Sequence, residues 1–378
     1  MRILVTGGAG FIGSHLVDAL VKDGHQVRVL DCLEPQVHEG KTPDYLNAEA
    51  EYLWGDVRDR AMLRRALQDI DVVFHEAAMV GVGQSMYQIE KYTAANVLAT
   101  AILLDVIVND RVPLKKLMVA SSMSIYGEGQ YRCGACPGPT PGAGGIVYPA
   151  LREDAQLLRH DWEMRCPRCG KPVAAEPTPE EKPLAPTSVY AVSKRDQEEL
   201  CLSVGRSYRI PTVALRYFNV YGPRQALSNP YTGVCAIFSA RIKNGNSPLI
   251  FEDGRQSRDF IHVSDIVRAN LLVMQSEQAD YGVFNVGTGT SISIVDIGRM
   301  LAELYGVSVP MESAKKFRAG DIRHCFADIS RISRLGFRPQ MPLQQGMKDL
   351  VAWGKQQTAT DRVAAAAGEL ETRGLTKG

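Results

Sequence analysis

Two rhythms of apolar residues alternate along the first half of the chain. Short, nearly unbroken apolar runs occupy Ile3-Leu4-Val5, Gln26 to Leu30, Glu51 to Trp54, Asp71 to His75 and Lys115 to Ala120. Runs of this length read as strands buried on both faces, the signature of a parallel sheet. Between them lie stretches with apolar residues at every third or fourth place. They are Ser14 to Lys22, the segment holding Met62, Leu63, Ala66 and Leu67, and Tyr87 to Asn109, which contains no proline or glycine. These read as helices, and the alternation predicts an α/β fold with a doubly wound parallel sheet whose ligands sit at its carboxyl edge.

The pattern breaks after Gly127. Residues 128–186 are rich in glycine and proline, including the run Pro137-Gly138-Pro139-Thr140-Pro141-Gly142, and their apolar periodicity is too weak to pack a core unaided. Helical spacing returns at Thr187 to Arg206, a strand follows at Ile210 to Phe218, and shorter mixed elements come next. The expected organisation is a cofactor-binding domain over residues 1–220 that carries the insert. A smaller substrate-binding lobe covers 221–355, with 257–285 returning to the first domain, and residues 356–378 form a frayed tail.

Charge narrows the partners. Lys and Arg number 43 against 42 Asp and Glu in 378 residues, so no electrostatic drive toward nucleic acid or an anionic membrane is expected. The first strand begins at once, without a basic leader, and no apolar run approaches the roughly 20 residues of a membrane helix. A cytoplasmic protein is expected. Four of the eight cysteines, Cys32, Cys201, Cys235 and Cys325, stand singly among apolar residues like small core side chains. The other four form two C-x-x-C pairs within the insert, Cys133 with Cys136 and Cys166 with Cys169. Their number and bite suit a tetrahedral structural zinc site, which would supply the folding energy that the segment lacks. A disulfide pairing or unmetallated thiols remain the alternatives.

The chemistry begins at Thr6-Gly7-Gly8-Ala9-Gly10-Phe11-Ile12-Gly13, between the first strand and the first helix. Such a turn brings backbone close to a pyrophosphate and aims free N–H groups of a helix N-terminus at it. Asp31 ends the second strand 18 residues after Gly13, where an acid would bind an adenine ribose hydroxyl and repel a 2′-phosphate, favouring NAD over NADP. The plainer reading is that Asp31 caps a strand end. Asp56-Val57 at a later strand end suits an adenine contact, or Asp56 caps the next helix. Ala77-Ala78 let backbone lie near a ligand. Tyr190 and Lys194, four apart, share one helix face, and Ser122 ends a strand. A phenol acting as a base near neutral pH must have its pKa lowered by about 3 units, roughly 4 kcal/mol, which the Lys194 ammonium and a cationic nicotinamide could supply.

With these motifs in place the chain resembles the extended short-chain dehydrogenases/reductases, specifically their nucleotide-sugar epimerase and dehydratase group, over nearly its whole length apart from insert and tail. The resemblance implies a Rossmann-type domain binding NAD through Gly7, Gly10, Phe11, Ile12, Gly13, Asp31, Asp56, Val57, Ala77 and Ala78, with Asn96 as the family's helix asparagine. It makes Ser122, Tyr190 and Lys194 the catalytic trio, and places Asn219, Arg258, Arg318 and Asp321 at the nucleoside diphosphate, beside Met123 and Ser124. Arginine forks suit that role, although each taken singly reads equally as a surface ion pair. Dehydratases of this kind carry Asp-Glu directly after the catalytic Ser/Thr. Met123 and Ser124 stand there instead, which leaves epimerisation at C4 through a 4-keto sugar.

The cysteine-bearing insert is similar to that of dTDP-L-rhamnose 4-epimerases, which make dTDP-6-deoxy-L-talose, and Met123 and Ile125 would suit a 6-methyl group. UDP-glucose or UDP-glucuronate 4-epimerase, a UDP-sugar decarboxylase and a non-catalytic NAD-binding sensor are the alternatives. The resemblance also implies a homodimer made by the helices at Tyr87–Asn109 and Thr187–Arg206.

Overall fold

Seven β-branched and leucine-rich strands meet in one sheet because each is too apolar on both faces to lie anywhere but between layers of helices. In the computed structural model, which describes residues 1–140, 144–311 and 313–378, these are β1 (Arg2–Thr6), β2 (Gln26–Asp31), β3 (Glu51–Trp54), β4 (Val72–His75), β5 (Lys116–Ser122), β6 (Thr212–Tyr217) and β7 (Val283–Val286). Their spatial order is β7-β6-β5-β4-β1-β2-β3, parallel throughout. The order reverses between β1 and β4, and a crevice opens there beyond the carboxyl ends. This is the doubly wound, Rossmann-type architecture that the apolar rhythm predicts.

Two cores flank the sheet. Helices Phe11–Lys22 and Val263–Gln275 bury Leu16, Val17, Leu20, Ile266 and Val273 on one face. Helices Arg60–Ala66, Ala99–Asn109 and Val189–Tyr208 bury Leu63, Leu103, Leu104, Ile107, Cys201 and Leu202 on the other. A third core joins helices Val234–Lys243, Ile294–Tyr305 and Leu343–Gln356 through Phe238, Leu301 and Leu350, forming the smaller lobe.

Several local expectations are corrected. Helix Arg60–Ala66 is capped by Asp59, whose carboxylate accepts the N–H groups of Ala61 and Met62, and not by Asp56. Among the shorter elements of the second half, Leu249 to Phe251 contributes only a single bridge, from Ile250 to Ser313. The stretch Ile89–Asn109 is 21 residues with a mean hydropathy of 1.5, long and apolar enough by length and composition to cross a membrane. Its apolar residues Leu103, Leu104, Val106 and Ile107 are instead spent on the sheet. It is interrupted by a π-helical turn, Thr93–Leu98. Cys32 is exposed, whereas Cys201, Cys235 and Cys325 are buried as expected of core thiols. The tail is not frayed: Val363–Thr372 is helical, and Thr376–Lys377 pairs antiparallel with Phe317–Arg318.

The insert has a core of its own. Gln130–Cys133 pairs antiparallel with Gly145–Val147 on one side and Ala174–Glu176 on the other. Tyr131, Val147 and Met164 are buried with three of the four cysteines. Pro141 and Gly142 of the proline-glycine run lie outside the described residues. The insert leaves and rejoins the fold at one neck, where the Ala185 N–H donates to the Ile125 carbonyl at 3.1 Å. Gly127, at φ +65°, has Ala185 O 2.2 Å from where a Cβ would stand.

Beneath the neck lies a buried ion pair. Arg216 on β6 grips Glu198 of helix Val189–Tyr208 with two nitrogens, at 2.5 and 3.0 Å. Its third nitrogen donates to the Tyr126 hydroxyl and the Glu180 carbonyl. Ser121 Oγ donates to the same carboxylate at 2.6 Å. Breaking a buried pair by removing one partner strands the other charge. Glu198→Ala is therefore expected to lower the free energy of urea unfolding by about 3–5 kcal/mol. Asp105→Ala, which breaks the exposed Arg60 pair, is expected to change it by about 1 kcal/mol or less.

Candidate active site

The crevice is a cavity of about 640 Å³ at the carboxyl ends of β1, β2, β4, β5 and β6. Its floor is the glycine turn. Gly7, at φ +72°, leaves no room for a side chain, since a Cβ would stand 2.8 Å from the backbone of Ala77. A Cβ on Gly13 would meet Gly7 O at 2.3 Å, and this close contact seats helix Phe11–Lys22 on the turn. Gly10 is the N-cap of that helix, and no side chain caps it. The N–H groups of its first turn therefore face the cavity as a cradle for an anion. Asp31 closes one side: its carboxylate accepts the Ala9 N–H at 3.0 Å and the Leu33 N–H at 2.8 Å, so it both ties β2 to the turn and lines the cavity. These residues fit a dinucleotide with its pyrophosphate on the helix and a ribose at Asp31.

Asp56 and Val57 line the adjoining wall, with Asp56 held below the usual carboxylate range by its hydrogen bonds to Arg58. Ala77 and Ala78 line the cavity opposite. Asn96 stands behind the wall. Fully buried in the π-helical turn, it accepts the Met79 N–H at 2.7 Å and donates to Met79 O and to Ser193 Oγ, locking the loop after β4 to the helix that bears Tyr190. The extra residue of a π turn is what aims its amide inward.

Ser122, at the end of β5, and Tyr190, in the first turn of helix Val189–Tyr208, line the cavity together. Ser188 caps that helix, its Oγ accepting the Ala191 N–H at 3.1 Å, so the cap fixes where Tyr190 emerges. Burial pushes the Tyr190 phenol up, and the nearby Ser122 hydroxyl acts against it. Lys194 is also buried, which lowers its pKa to about 8. Its ammonium donates to Gln197 at 2.8 Å, and Gln197 continues through Thr100 to His75 and Thr6 in a chain of buried hydrogen bonds. With burial pushing the phenol up, the free protein favours the protonated phenol, and a further positive charge arriving with a ligand would add to that of Lys194 in releasing the proton.

Ser124 Oγ donates to Ser122 Oγ at 2.9 Å, and Met123 is buried beside Tyr126, Phe218 and Ile322 while still lining the cavity. Asn219, Arg258, Arg318 and Asp321 all reach the cavity. Arg318 lies over the Phe251 ring, 4.7 Å from its centroid, and pairs with Asp321 at 2.8 Å. Arg258 donates to the carbonyls of Ile322 and Arg323. Among the described residues, the buried carbonyl oxygens of Asn219, Gln225 and Gln256 have no partner, as groups that wait for a ligand do. Cys133, Cys136, Cys166 and Cys169 lie apart, their sulfurs within 4.8 Å of one another. Cys133 to Cys169 and Cys136 to Cys166 are each 3.6 Å, well beyond a disulfide bond.

Sequence reasoning missed Gln225 and Gln256, whose neighbours carry no motif, and the tail helix, whose Val363, Ala366 and Leu370 line the cavity. It also missed Glu76, visible only as an acid at the end of an apolar strand. Glu76 accepts the Tyr217 hydroxyl at 2.8 Å, and burial raises its pKa to about 7.

With the geometry in view, comparison with known proteins gives the class. Residues 3–140 and 167–287 match the model of the NAD dependent epimerase/dehydratase family. A dTDP-L-rhamnose 4-epimerase of Burkholderia thailandensis is 34% identical over 360 residues, 94% of this chain and 95% of that protein. Among solved structures, the UDP-glucose 4-epimerase of Thermotoga maritima with UDP-glucose superposes with a TM-score of 0.75 at 30% identity, covering 94% of this chain and 99% of that one. A UDP-glucuronic acid 4-epimerase of Bacillus cereus with UDP-glucuronic acid and NAD gives 0.74 at 28%, with the same coverage. The chain belongs to the NAD dependent epimerase/dehydratase family. It is an enzyme of the isomerase class, an NAD-dependent epimerase.

Two outcomes follow from the site. Gly13→Ala forces backbone apart at the turn, so protein purified with this change is expected to retain little NAD by absorbance and extraction while wild type retains it. For Glu76 the folded pKa lies above the unfolded value near 4.5, so its stabilisation is present below 4.5 and is lost as pH rises toward 7. In cofactor-free protein, Glu76→Gln should therefore gain on wild type by about 1 kcal/mol per pH unit across that window, measured by urea unfolding.

Proposed function

We propose that the protein is a nucleotide-sugar 4-epimerase converting dTDP-L-rhamnose to dTDP-6-deoxy-L-talose through a 4-keto sugar. The observation that carries the chemistry is the meeting of Ser122, Tyr190 and Lys194 in the cavity floored by the glycine turn. Tyr190 takes the proton of the sugar 4-hydroxyl and later returns one, Ser122 holds the same oxygen, and Lys194 stabilises the phenolate by charge. NAD, when bound, accepts hydride from C4 and gives it back. Elimination of water is disfavoured because Met123 and Ser124 offer no carboxylate where an acid pair would be needed. The rhamnose assignment is supported by the apolar side chains that Met123, Ala366 and Leu370 bring to the cavity, suited to a methyl at C6, and by the Burkholderia relative. UDP-glucose or UDP-glucuronate is the second reading, favoured by the structural neighbours that hold those sugars.

The cofactor, the diphosphate and the metal have separate holders in this reading. Gly10 to Gly13, Asp31, Asp56-Val57 and Ala77-Ala78 hold NAD, and Asn219, Arg258, Arg318 and Asp321 hold the nucleoside diphosphate. The four cysteines bind structural zinc: four thiolates at about 2.3 Å from one ion lie about 3.8 Å apart, and the observed 3.6 Å pairs fit. A cytoplasmic setting keeps those thiols reduced. Exposed Ile89, Leu98 and Val192 on the two long helices support a homodimer through that face.

The deciding measurement is NMR of purified protein with dTDP-L-rhamnose and no added cofactor, beside UDP-glucose, UDP-galactose and UDP-glucuronate. Appearance of the C4 epimer from the dTDP sugar alone is expected; conversion of UDP sugars alone replaces the substrate and keeps the mechanism. Tyr190→Phe is expected to lower kcat by about 10²-fold or more with NAD still bound. Retention of most of the activity by that variant overturns the assignment of the base.

A further inference from the structure

The insert does not hang over the cavity. It grips the loop that carries Arg318 and Asp321, and it does so with buried charge. Glu128, at the start of the insert and 3% exposed, accepts the backbone N–H groups of Arg323 and His324, both at 2.8 Å. The same carboxylate accepts the hydroxyl of Tyr131 at 2.5 Å, and Tyr131 is packed among the cysteines. On the other knuckle, Glu163 receives Arg323 Nη2 at 2.6 Å, and the next residue, Met164, sits in the cysteine core. Arg152 donates to the Asp321 carbonyl and forks onto Glu252. Arg323 itself is fully buried and donates also to Glu252 and Asp253. Backbone bonds from Gly129 to His324 O and from Thr178 to Phe326 O complete the seam.

The routes from the cysteines to the loop are one or two side chains long. Through Tyr131 and Glu128 one knuckle fixes the backbone at 323–324, and through Glu163 the other fixes the guanidinium. Arg258 donates to the carbonyls of residues 322 and 323, so its own position depends on the same loop. Without a metal the insert has only a small apolar core to hold four sulfurs together, and its three short strands are marginal alone.

We propose that the metal-bound cysteine cluster positions the diphosphate-binding loop, so that metal occupancy sets affinity for the nucleoside diphosphate while leaving NAD binding unchanged. Glu128, Glu163 and Arg323 are its positioning residues. This rests on the nucleotide-sugar reading above. The NAD cradle, built at the ends of β1, β2 and β4, shares none of these contacts.

The test is calorimetric titration of the NAD-loaded protein with dTDP and with UDP, before and after zinc removal by a chelator, with zinc and NAD contents measured on each sample. Removal of the metal is expected to weaken diphosphate binding by about tenfold or more, with NAD content constant and affinity restored by added zinc. Glu163→Gln, which keeps all four thiols and changes a half-exposed side chain, is expected to weaken binding severalfold with zinc content unchanged and to raise KM while sparing kcat. Diphosphate affinity that is the same with and without metal, or in Glu163→Gln, overturns the proposal alone. Purified protein that holds no zinc overturns the metal's part in it and with it the proposal. Failure of the zinc-loaded wild type to bind either diphosphate overturns it together with the nucleotide-sugar reading.

Discussion

Everything near the reacting centre leans on the pairing of Arg216 with Glu198. The pair joins the last strand before the smaller lobe to the helix bearing Tyr190 and Lys194, and it is dry enough that neither charge could stay without the other. Ser121 shares the carboxylate, and the next residue in the strand is Ser122. Tyr126 shares the guanidinium and passes a further bond to Asn285 at the end of β7. The strand that ends in Ser122 and the helix that bears Tyr190 therefore meet on one carboxylate, which the planar fork of Arg216 holds in angle as well as distance. That rigidity is what proton transfer between fixed oxygens needs.

The same economy governs charge in the cavity. Burial weakens the hold of Lys194 on its proton, with the Glu76 and Glu198 carboxyls acting the other way, and burial raises the Tyr190 phenol so that it keeps its own. In the reaction proposed above, a bound pyridinium would add its charge to that of Lys194 beside the phenol; since its reduced form carries no such charge, the protonation of the proposed base and the oxidation state of the cofactor are tied to each other.

How far the sequence could be read depended on whether each contact was local. The sheet, the glycine turn and the helix faces are local patterns, and they are legible in the unbroken apolar run Ile3-Leu4-Val5, in Gly7 to Gly13 and in the four-residue spacing of Tyr190 and Lys194. The paired C-x-x-C motifs are legible for the same reason, and the structure brings all four sulfurs together. What escaped has no local signature. Asp59 rather than Asp56 caps a helix because the chain turns three residues later than spacing suggests. Glu76 reads as a flaw in a strand until Tyr217, far away in the chain, arrives to meet it. The tail looks like solvent-exposed alanine and glycine, yet its helix is held by Tyr87 and Tyr231 sharing Glu369 and by Leu370 lying against Gly83.

The narrow neck of the insert has a consequence for how such a part is gained or lost. Its two ends are one hydrogen bond apart, so the chain running from the serine to the tyrosine follows the same path whether the excursion between them is long or absent. Connectivity places no barrier to its removal. The barrier is the buried charge around Arg323, which without the insert would keep Glu252 and Asp253 but lose Glu163 on its guanidinium and Glu128 on its backbone, while Glu252 would lose Arg152. The segment and that single arginine therefore form one heritable unit: a chain that discards the first must also replace the second, and a graft of the insert onto a plain relative must carry the arginine with it.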